Sequence, residues 1–547
     1  MKYLCFILFL PLLSPAQSTV GFQFVNPGIT EGYTLLVPST YTATYLIDNC
    51  GREINRWSST YRPGQAAYLK SNGNLVRSGN IGGIYFIGGG KGGILEEFDW
   101  QGNKIWHYEH YSSQYCLHHD FTILPNGNIL AIAWEKIERS VLENMGRDPA
   151  TIGTNFWSEK IIEIQPIYPT GGTIVWEWHA IDHVIQDYNS NLPGYSIVSD
   201  YPELLDLNYT GSNPNFTDWL HFNSIRYNDS LDQILFSSRY FSEFYIIDHS
   251  TSTTEAAGHS GGIYGRGGDL LYRWGNPAAY QRGSGSDQKL FQQHSVQWVP
   301  YGYPNEGAIA VFNNGTGRPG TDYSSAEILL PPGTGNGIYP LNNPFSYGPD
   351  SIVWKYMDTT HYYLSANIVS GVQAMPNGNV VVCDGPAGKI YEVNTAGIPV
   401  WLYISPVNIT GPVSQGSSIA GNVIFRADKY LPDFPGFAGR DMTPGNPIEL
   451  NPVPNECDVT ILNKNDYSSD YNPYPNPSGD MINFPCIAPG ETHSVSIYSV
   501  SGHKIFHITF CEIEKGQVHV SGYPCGLYLY KAVSGTKVFN GTFVVSH

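Results

Sequence analysis

A chain of 547 residues exceeds the roughly 250 to 300 at which a single hydrophobic core stops growing, unless modules repeat about an axis. Its 59 Gly, 38 Pro and 39 Tyr with only 14% charged residues, where about 25% is usual, fit many short strands joined by turns rather than packed helices. The formal charge of −18 excludes a nucleic-acid partner, which needs a basic footprint, and obliges any anionic ligand to find a local cluster of donors.

The chain opens with Lys2, an apolar run from Tyr3 to Leu13 and Ser14-Pro15-Ala16, a small-residue cleavage signal. Residues 1–16 therefore read as a signal peptide cut before Gln17. The run is too short to span a bilayer, and no later segment offers the roughly 20 consecutive apolar residues of a membrane helix. The mature protein is expected to be exported, either secreted or held at the outer-membrane surface. Eight cysteines less Cys5 of the signal leave seven. Cys457, Cys486, Cys511 and Cys525 crowd the C-terminal end, whereas Cys50, Cys116 and Cys383 stand far apart, and the pairing is not legible. Without a C-x-x-C pair, a structural zinc site has little support.

From about residue 30 to 410 one pattern recurs: a strand-like run, a turn often written Asn-Gly-Asn, a second run, then a Gly-containing link and an aromatic strand ending near a Trp. The turns at Tyr68–Val76, Phe121–Leu130 and Val372–Val381 carry Asn-Gly, a strong hairpin signal because both residues tolerate positive φ. Outer strands recur at Asn103-Lys-Ile-Trp, Gly172-Thr-Ile-Val-Trp, Asp269-Leu-Leu-Tyr-Arg-Trp, Ser351-Ile-Val-Trp and Gly397-Ile-Pro-Val-Trp. With a weaker unit at Tyr33 to Trp57, about six modules of roughly 40 to 75 residues predict an all-β, six-bladed propeller.

The central stretch, residues 218 to 239, places His221 and Asn223 two apart on one face of an extended segment and ends on Arg239. Aligned on the turns, His119, His294 and Ser370 share one position at the start of a blade's first strand. Gln65 is their counterpart in the second unit, and His221 matches His118 or His119. Corresponding positions converge on the central channel. A single such histidine is ordinarily a satisfied hydrogen-bonder. Three at matching positions of separate blades have no scaffold reason to be there and point to a site.

Leu-His-His-Asp-Phe before Leu-Pro-Asn-Gly-Asn, Asp-Trp-Leu-His-Phe-Asn-Ser, Ser-Ser-Arg, Leu-Tyr-Arg-Trp-Gly-Asn-Pro, Phe-Gln-Gln-His and Val-Phe-Asn-Asn-Gly, in this order over residues 30 to 450, resemble the bacterial arylsulfate sulfotransferase family. The resemblance implies a propeller that moves a sulfuryl group from an aryl sulfate to another phenol without a nucleotide donor or other cofactor, by a ping-pong route through a sulfo-histidine. By position, His294 matches the family's nucleophile. His221, Asn223 and Arg239 match its sulfate-binding residues, and one of His118 and His119 matches a further active-site histidine. Ser370 stands where the family can have threonine. Better-known members carry an additional N-terminal domain, for which this chain has almost no room.

The chemistry of the residues agrees with those roles. A sulfate monoester spreads its charge over three oxygens, which suits the planar fork of Arg239 with Asn223 and imidazoles around it. A neutral imidazole can attack sulfur, and a second can serve as acid and base. One rival reading gives the histidines a metal, which Arg239 beside them opposes. Another is a non-catalytic secreted binding propeller.

Pro-rich sequence from Leu431 to Pro454 reads as a strap and linker, so that the propeller occupies residues 17–455. Alternating runs such as Val495–Val500 and Gly526–Ala532 predict a small β-sandwich over residues 456–547. Tyr474-Pro-Asn-Pro-Ser, Ile497-Tyr-Ser-Val-Ser-Gly-His-Lys-Ile and Gly526-Leu-Tyr-Leu-Tyr resemble the C-terminal sorting domain of the Bacteroidetes type IX secretion route. That resemblance implies the secretion machinery as a partner. An accessory binding or stability module is the alternative.

Overall fold

The computed structural model describes residues 19–213, 217–320, 322–341, 345–358, 364–453, 473–484, 493–499, 504–510, 516–534 and 537–547. The expected signal peptide and Cys457, Cys486 and Cys511 lie outside the described residues. The chain forms two compact units, residues 1–453 and 454–547.

The first unit is a six-bladed propeller of antiparallel sheets. Its inner strands are Pro63–Leu69, Tyr115–Ile123, Phe222–Asn228, His294–Trp298, Gly371–Ala374 and Ile424–Tyr430, and each packs beside the next in a closed ring. The last of them belongs to the first blade, where it pairs with Tyr33–Pro38 in the register Tyr33↔Tyr430 to Pro38↔Ile424. The segment from Tyr33 to Trp57 reads as a weak repeat because it holds only the three outer strands of its blade. At the other end of the chain, Gly21–Val25 adds a fifth strand outside Pro399–Ile404 of the sixth blade. The ring is thus closed by both ends of the unit.

Two recurring sequence features have one physical meaning each. In the three Asn-Gly-Asn turns, Gly73, Gly127 and Gly378 take φ of +84°, +88° and +86°. The Asn before each Gly accepts, through Oδ1, the backbone N–H of the Asn after it, at 2.9–3.0 Å. The turns are therefore fixed by local chemistry. The outer-strand tryptophans lock neighbouring blades: Nε1 of Trp57, Trp106, Trp178, Trp274 and Trp401 donates to the carbonyl of Asp99, Gly171, Gly268, Pro349 and Asn49, respectively, at 2.7–2.9 Å. Each acceptor precedes the outer strand of the following blade, so a buried ring and its N–H tie the rim together. Trp354 of the fifth blade makes no such bond among the described residues.

Within the second unit, the two-stranded sheet of Met481–Phe484 and Gly516–His519 and the four-stranded sheet of Lys504–Phe510, His493–Ser499, Gly526–Ser534 and Lys537–Val545 share one core of Ile482, Phe484, Val495, Ile497, Val518 and Phe543. This is a small β-sandwich. Cys50 is disulfide-bonded, and Cys116, Cys383 and Cys525 are free thiols.

Trp106→Phe removes the N–H that satisfies Gly171 O and leaves a small void, so it is expected to lower unfolding free energy by about 1–3 kcal/mol in urea denaturation. Trp354→Phe, with no such bond to lose, should have a smaller effect. Equal effects of the two would contradict the rim lock.

Candidate active site

His221, Asn223, His294 and Ser370 lie where inner strands begin, His118 and His119 midway along Tyr115–Ile123, and Arg239 just after the second strand of the fourth blade, Gln233–Ser238. In or beside these inner strands Gln65, His119, His221, Ser295 and Ser370 adopt positive φ, between +48° and +109°. In four blades the inner pairing is interrupted beside them by a bulge. For residues other than glycine this backbone is unfavourable by about 1–3 kcal/mol each, and its effect is to turn side chains out of the strand's alternation.

Hydrogen bonds from blade to blade fix the correspondence of positions. Asp120 Oδ2 accepts from Ile225 N at 3.0 Å, Ser224 Oγ from Val296 N at 3.0 Å and Ser295 Oγ from Val372 N at 3.4 Å. Asp120, Ser224, Ser295 and Gly371 are therefore equivalent, and so are the residues before them: His119, Asn223, His294 and Ser370. This corrects the sequence alignment at the fourth blade, where the longer turn hides the register. Asn223, not His221, corresponds to His119. His221 lies two residues earlier, and its left-handed backbone still brings its ring to 4.7 Å from that of His119.

His294 is buried, and its Nδ1 lies 2.7 Å from Asn314 Oδ1. Asn314 Nδ2 donates to the carbonyls of Ala366 and Val369 at 2.7 and 3.1 Å, which fixes the amide and leaves Oδ1 as the acceptor. His294 must then carry its proton on Nδ1, with the lone pair on Nε2. Burial, then the charge of Arg239, holds this imidazole well below the ordinary histidine value, so it is neutral.

His221 Nδ1 is hydrogen-bonded to Asp218 Oδ2, and Asp218 Oδ1 accepts from Trp134 Nε1 at 3.1 Å. The carboxylate orients the ring with Nε2 outward and suits an imidazolium. His118 and His119 have different places. His118 stacks on Trp134 at 4.0 Å and bonds Glu159 Oε2 through Nε2 at 2.7 Å, while its Nδ1 meets His119 Nδ1 at 2.9 Å. It is His119 that faces His221. Burial holds both imidazoles well below the usual value and pushes the Glu159 carboxyl well above it. Glu159 Oε1 accepts the N–H of Phe222 at 2.9 Å, so the acid proton sits on Oε2 and donates to His118. His118 Nδ1–H then donates to His119, which presents Nε2–H. A buried acid thereby sets the tautomer of a ring two bonds away.

Arg239 lies close enough for its charge to depress both His119 and His294. It packs over the ring of Tyr240 at 5.3 Å, and its Nε is buried without a hydrogen-bond partner among the described residues. Such an orphaned donor is unfavourable by about 1–3 kcal/mol unless a ligand satisfies it, and an oxyanion is the natural one. Asn223 Nδ2 donates to Gln293 O at 2.7 Å and its Oδ1 is unpartnered, so a second N–H is all it can offer an anion. Ser370 is engaged locally, donating to Ile368 O at 3.2 Å and accepting from Gly385 N at 3.0 Å. The geometry gives its hydroxyl no free donor.

Sequence reasoning missed Asp218, Glu159, Trp134, Asn314 and Arg426. Asp218 and Asn314 stand inside the quoted Asp-Trp-Leu-His-Phe and Phe-Asn-Asn-Gly motifs, but Glu159 has no mark beyond an acidic residue in an apolar strand. Gly90 is explained by the site: a Cβ there would lie 2.0 Å from the His119 ring.

The first unit is thus a propeller that gathers the imidazoles of His119, His221 and His294 near a guanidinium whose buried Nε has no hydrogen-bond partner among the described residues. Residues 22–397 match the Arylsulfotransferase (ASST) family, and the chain belongs to that family. Residues 472–546 match the secretion system C-terminal sorting domain, which marks the protein for export to the outer surface or medium. Solved structures similar to this one include a protein of unknown function from Bacteroides caccae (11% identity over 73% of this chain and 99% of that one, TM-score 0.39). Others are virginiamycin B lyase from Staphylococcus aureus (9% identity, 70% and 87%, TM-score 0.31) and apo AztD from Citrobacter koseri (7% identity, 73% and 99%, TM-score 0.31). Likeness at this level informs no reading of the site. No curated protein sequence matches the chain.

The pH dependence of stability follows from the burial of these rings. In the unfolded chain His118, His119 and His294 titrate near 6.5, whereas folded they resist protonation. Below pH 6.5 the unfolded state binds more protons, so stability falls with pH. The urea midpoint is expected to drop between pH 7.5 and 5, and to drop less in His294→Asn. Identical pH slopes for the two proteins would contradict a buried neutral His294.

Proposed function

We propose that the protein is an arylsulfate sulfotransferase that works through a sulfated His294. The observation that carries this reading is the free Nε2 lone pair of His294, set by Asn314 and placed beside Arg239. In the first half-reaction Nε2 forms a bond to sulfur as the bond from sulfur to the aryl oxygen breaks, and the departing phenolate takes the proton of His221 Nε2. Asp218 supports the imidazolium that supplies it. In the second half, an acceptor phenol gives its proton to His221, its oxygen bonds sulfur and the N–S bond breaks. Arg239, His119 Nε2–H and the second N–H of Asn223 hold the sulfuryl oxygens. The exposed Ile84 and Ile87 of the Gly-rich loop, whose buried Phe86 stacks on Trp134 at 6.1 Å, offer apolar surface for the aryl ring.

This reading makes residues 17–455 the catalytic unit and residues 456–547 its address. Sorting-domain similarity supports the second assignment.

A chromogenic aryl sulfate tests the reaction class. Colour release is expected to depend on added phenol, with ping-pong kinetics and with the sulfate ester of the added phenol as product. Retained binding of the aryl sulfate without turnover would favour a binding propeller.

Glu159→Gln tests the proton arrangement behind His119. The amide can donate to His118 and accept from Phe222 as the protonated acid does, so near-native kcat is expected. Glu159→Leu should slow transfer by about tenfold or more. A Gln variant as slow as the Leu variant would show that the carboxylate, not the acid, is needed.

A further inference from the structure

Outside the channel, three side chains of the fourth blade and its approach converge on one atom. His183 Nδ1 and His259 Nδ1 each lie 2.8 Å from Asp269 Oδ1. His183 is fully buried, stacks on Trp178 with an interplanar angle of 1° and directs Nε2 at the carbonyl of Ala256, 2.8 Å away. That carbonyl can only accept, so Nε2 carries a proton and Nδ1 is the nitrogen turned to the carboxylate. One ligand atom from each of His183, His259 and Asp269 lies within 4.8 Å of the others.

We infer that His183, His259 and Asp269 form a binding site for a divalent first-row transition-metal ion. Two imidazoles and a carboxylate are an ordinary donor set for zinc, manganese, iron or nickel. At metal–ligand distances of about 2.0–2.2 Å, ligands at right angles stand roughly 3 Å apart. The separations of 2.8 Å are close to that spacing. The second shell is already built: Ala256 O holds the far nitrogen of His183 and fixes its tautomer. Gly268 leaves room for that hydrogen bond, since a Cβ there would lie 2.6 Å from His183 Nε2 and closer still to Ala256 O. The His259 side chain is 60% exposed, which leaves one side of the site to water ligands and gives the ion a way in.

The position gives the ion a structural task. Residues 253–269 form an excursion before the outer strand of the fourth blade, and residues 180–206 form the connection from the third blade, in which Val184–Ile185 pairs with Leu205–Asp206. His259 and Asp269 come from the first segment and His183 from the second. A bound ion would staple the two together on the rim beside the Trp178 lock.

The test uses the untagged, full-length exported protein, with metal content measured directly and thermal stability followed after chelation and titration with Zn²⁺, Mn²⁺ or Ni²⁺. About one ion per chain is expected, with a melting temperature that rises with metal concentration, as for any ligand that binds only the folded state. His259→Ala, a change at an exposed position that the fold tolerates, should weaken binding by about tenfold or more, and Asp269→Asn should do the same. No retained ion and no metal-dependent shift with any of the three cations would overturn the proposal and leave an imidazolium–carboxylate pair. Binding of undiminished affinity in His259→Ala would overturn it as well.

Discussion

The structure around the channel depends on the carboxylate of Asp120. Its Oδ1 accepts from Tyr68 of the second blade at 2.6 Å. Its Oδ2 accepts from Arg226 and Ile225 N of the fourth blade at 3.1 and 3.0 Å and from Arg426 of the first at 2.8 Å. One residue of the third blade thus ties four blades together, and two guanidiniums compensate its buried charge, with Asp428 beside Arg226 at 4.0 Å. Arg426 also donates to Asn223 O at 3.1 Å, which links this hub to the site residue by residue. Removing the carboxylate would leave Arg426 without its ion pair and Arg226 with only Asp428, 4.0 Å away, a change of the kind that destabilises by about 3–5 kcal/mol.

Desolvation then shapes the chemistry. The residues before the Asp120 register inherit its rigidity, and the burial of His119 and His294 there favours the neutral imidazole. A protein of formal charge −18 repels sulfate esters at long range, so the cation that receives one must be local. Arg239 meets that need because its Nε is withheld from protein partners. The histidines then differ by what stands behind each ring: an amide oxygen for His294, a carboxylate for His221 and, through His118, an acid for His119.

Much of the propeller was legible because its repeats are enforced locally: Asn-Gly-Asn turns need positive φ at Gly, and the rim needs an indole N–H. The first blade was partly hidden, since its inner strand, Ile424–Tyr430, arrives from the far end of the unit and a local pattern cannot show a pairing across the sequence. The histidines stood out as residues without a scaffold purpose, yet their registers did not. Bulges and left-handed residues at strand starts break the alternation on which alignment rests, which is why Asn223 and His221 exchanged places. The supporting groups were least visible. Glu159 resembles any polar residue in a strand until the fold places it behind His118, and Ser370, equivalent to His119 by position, spends its hydroxyl on its own loop.

The central claim is that His294 Nε2 is the atom that receives the sulfuryl group. Rapid mixing with an aryl sulfate in the absence of acceptor, a neutral or alkaline quench and peptide mass mapping address it directly. The account predicts a gain of roughly 80 Da on the peptide holding His294, stoichiometric with released phenol and absent in His294→Asn. The same gain on the peptide of His119 or His221, or a full turnover with no adduct on any histidine, would contradict it.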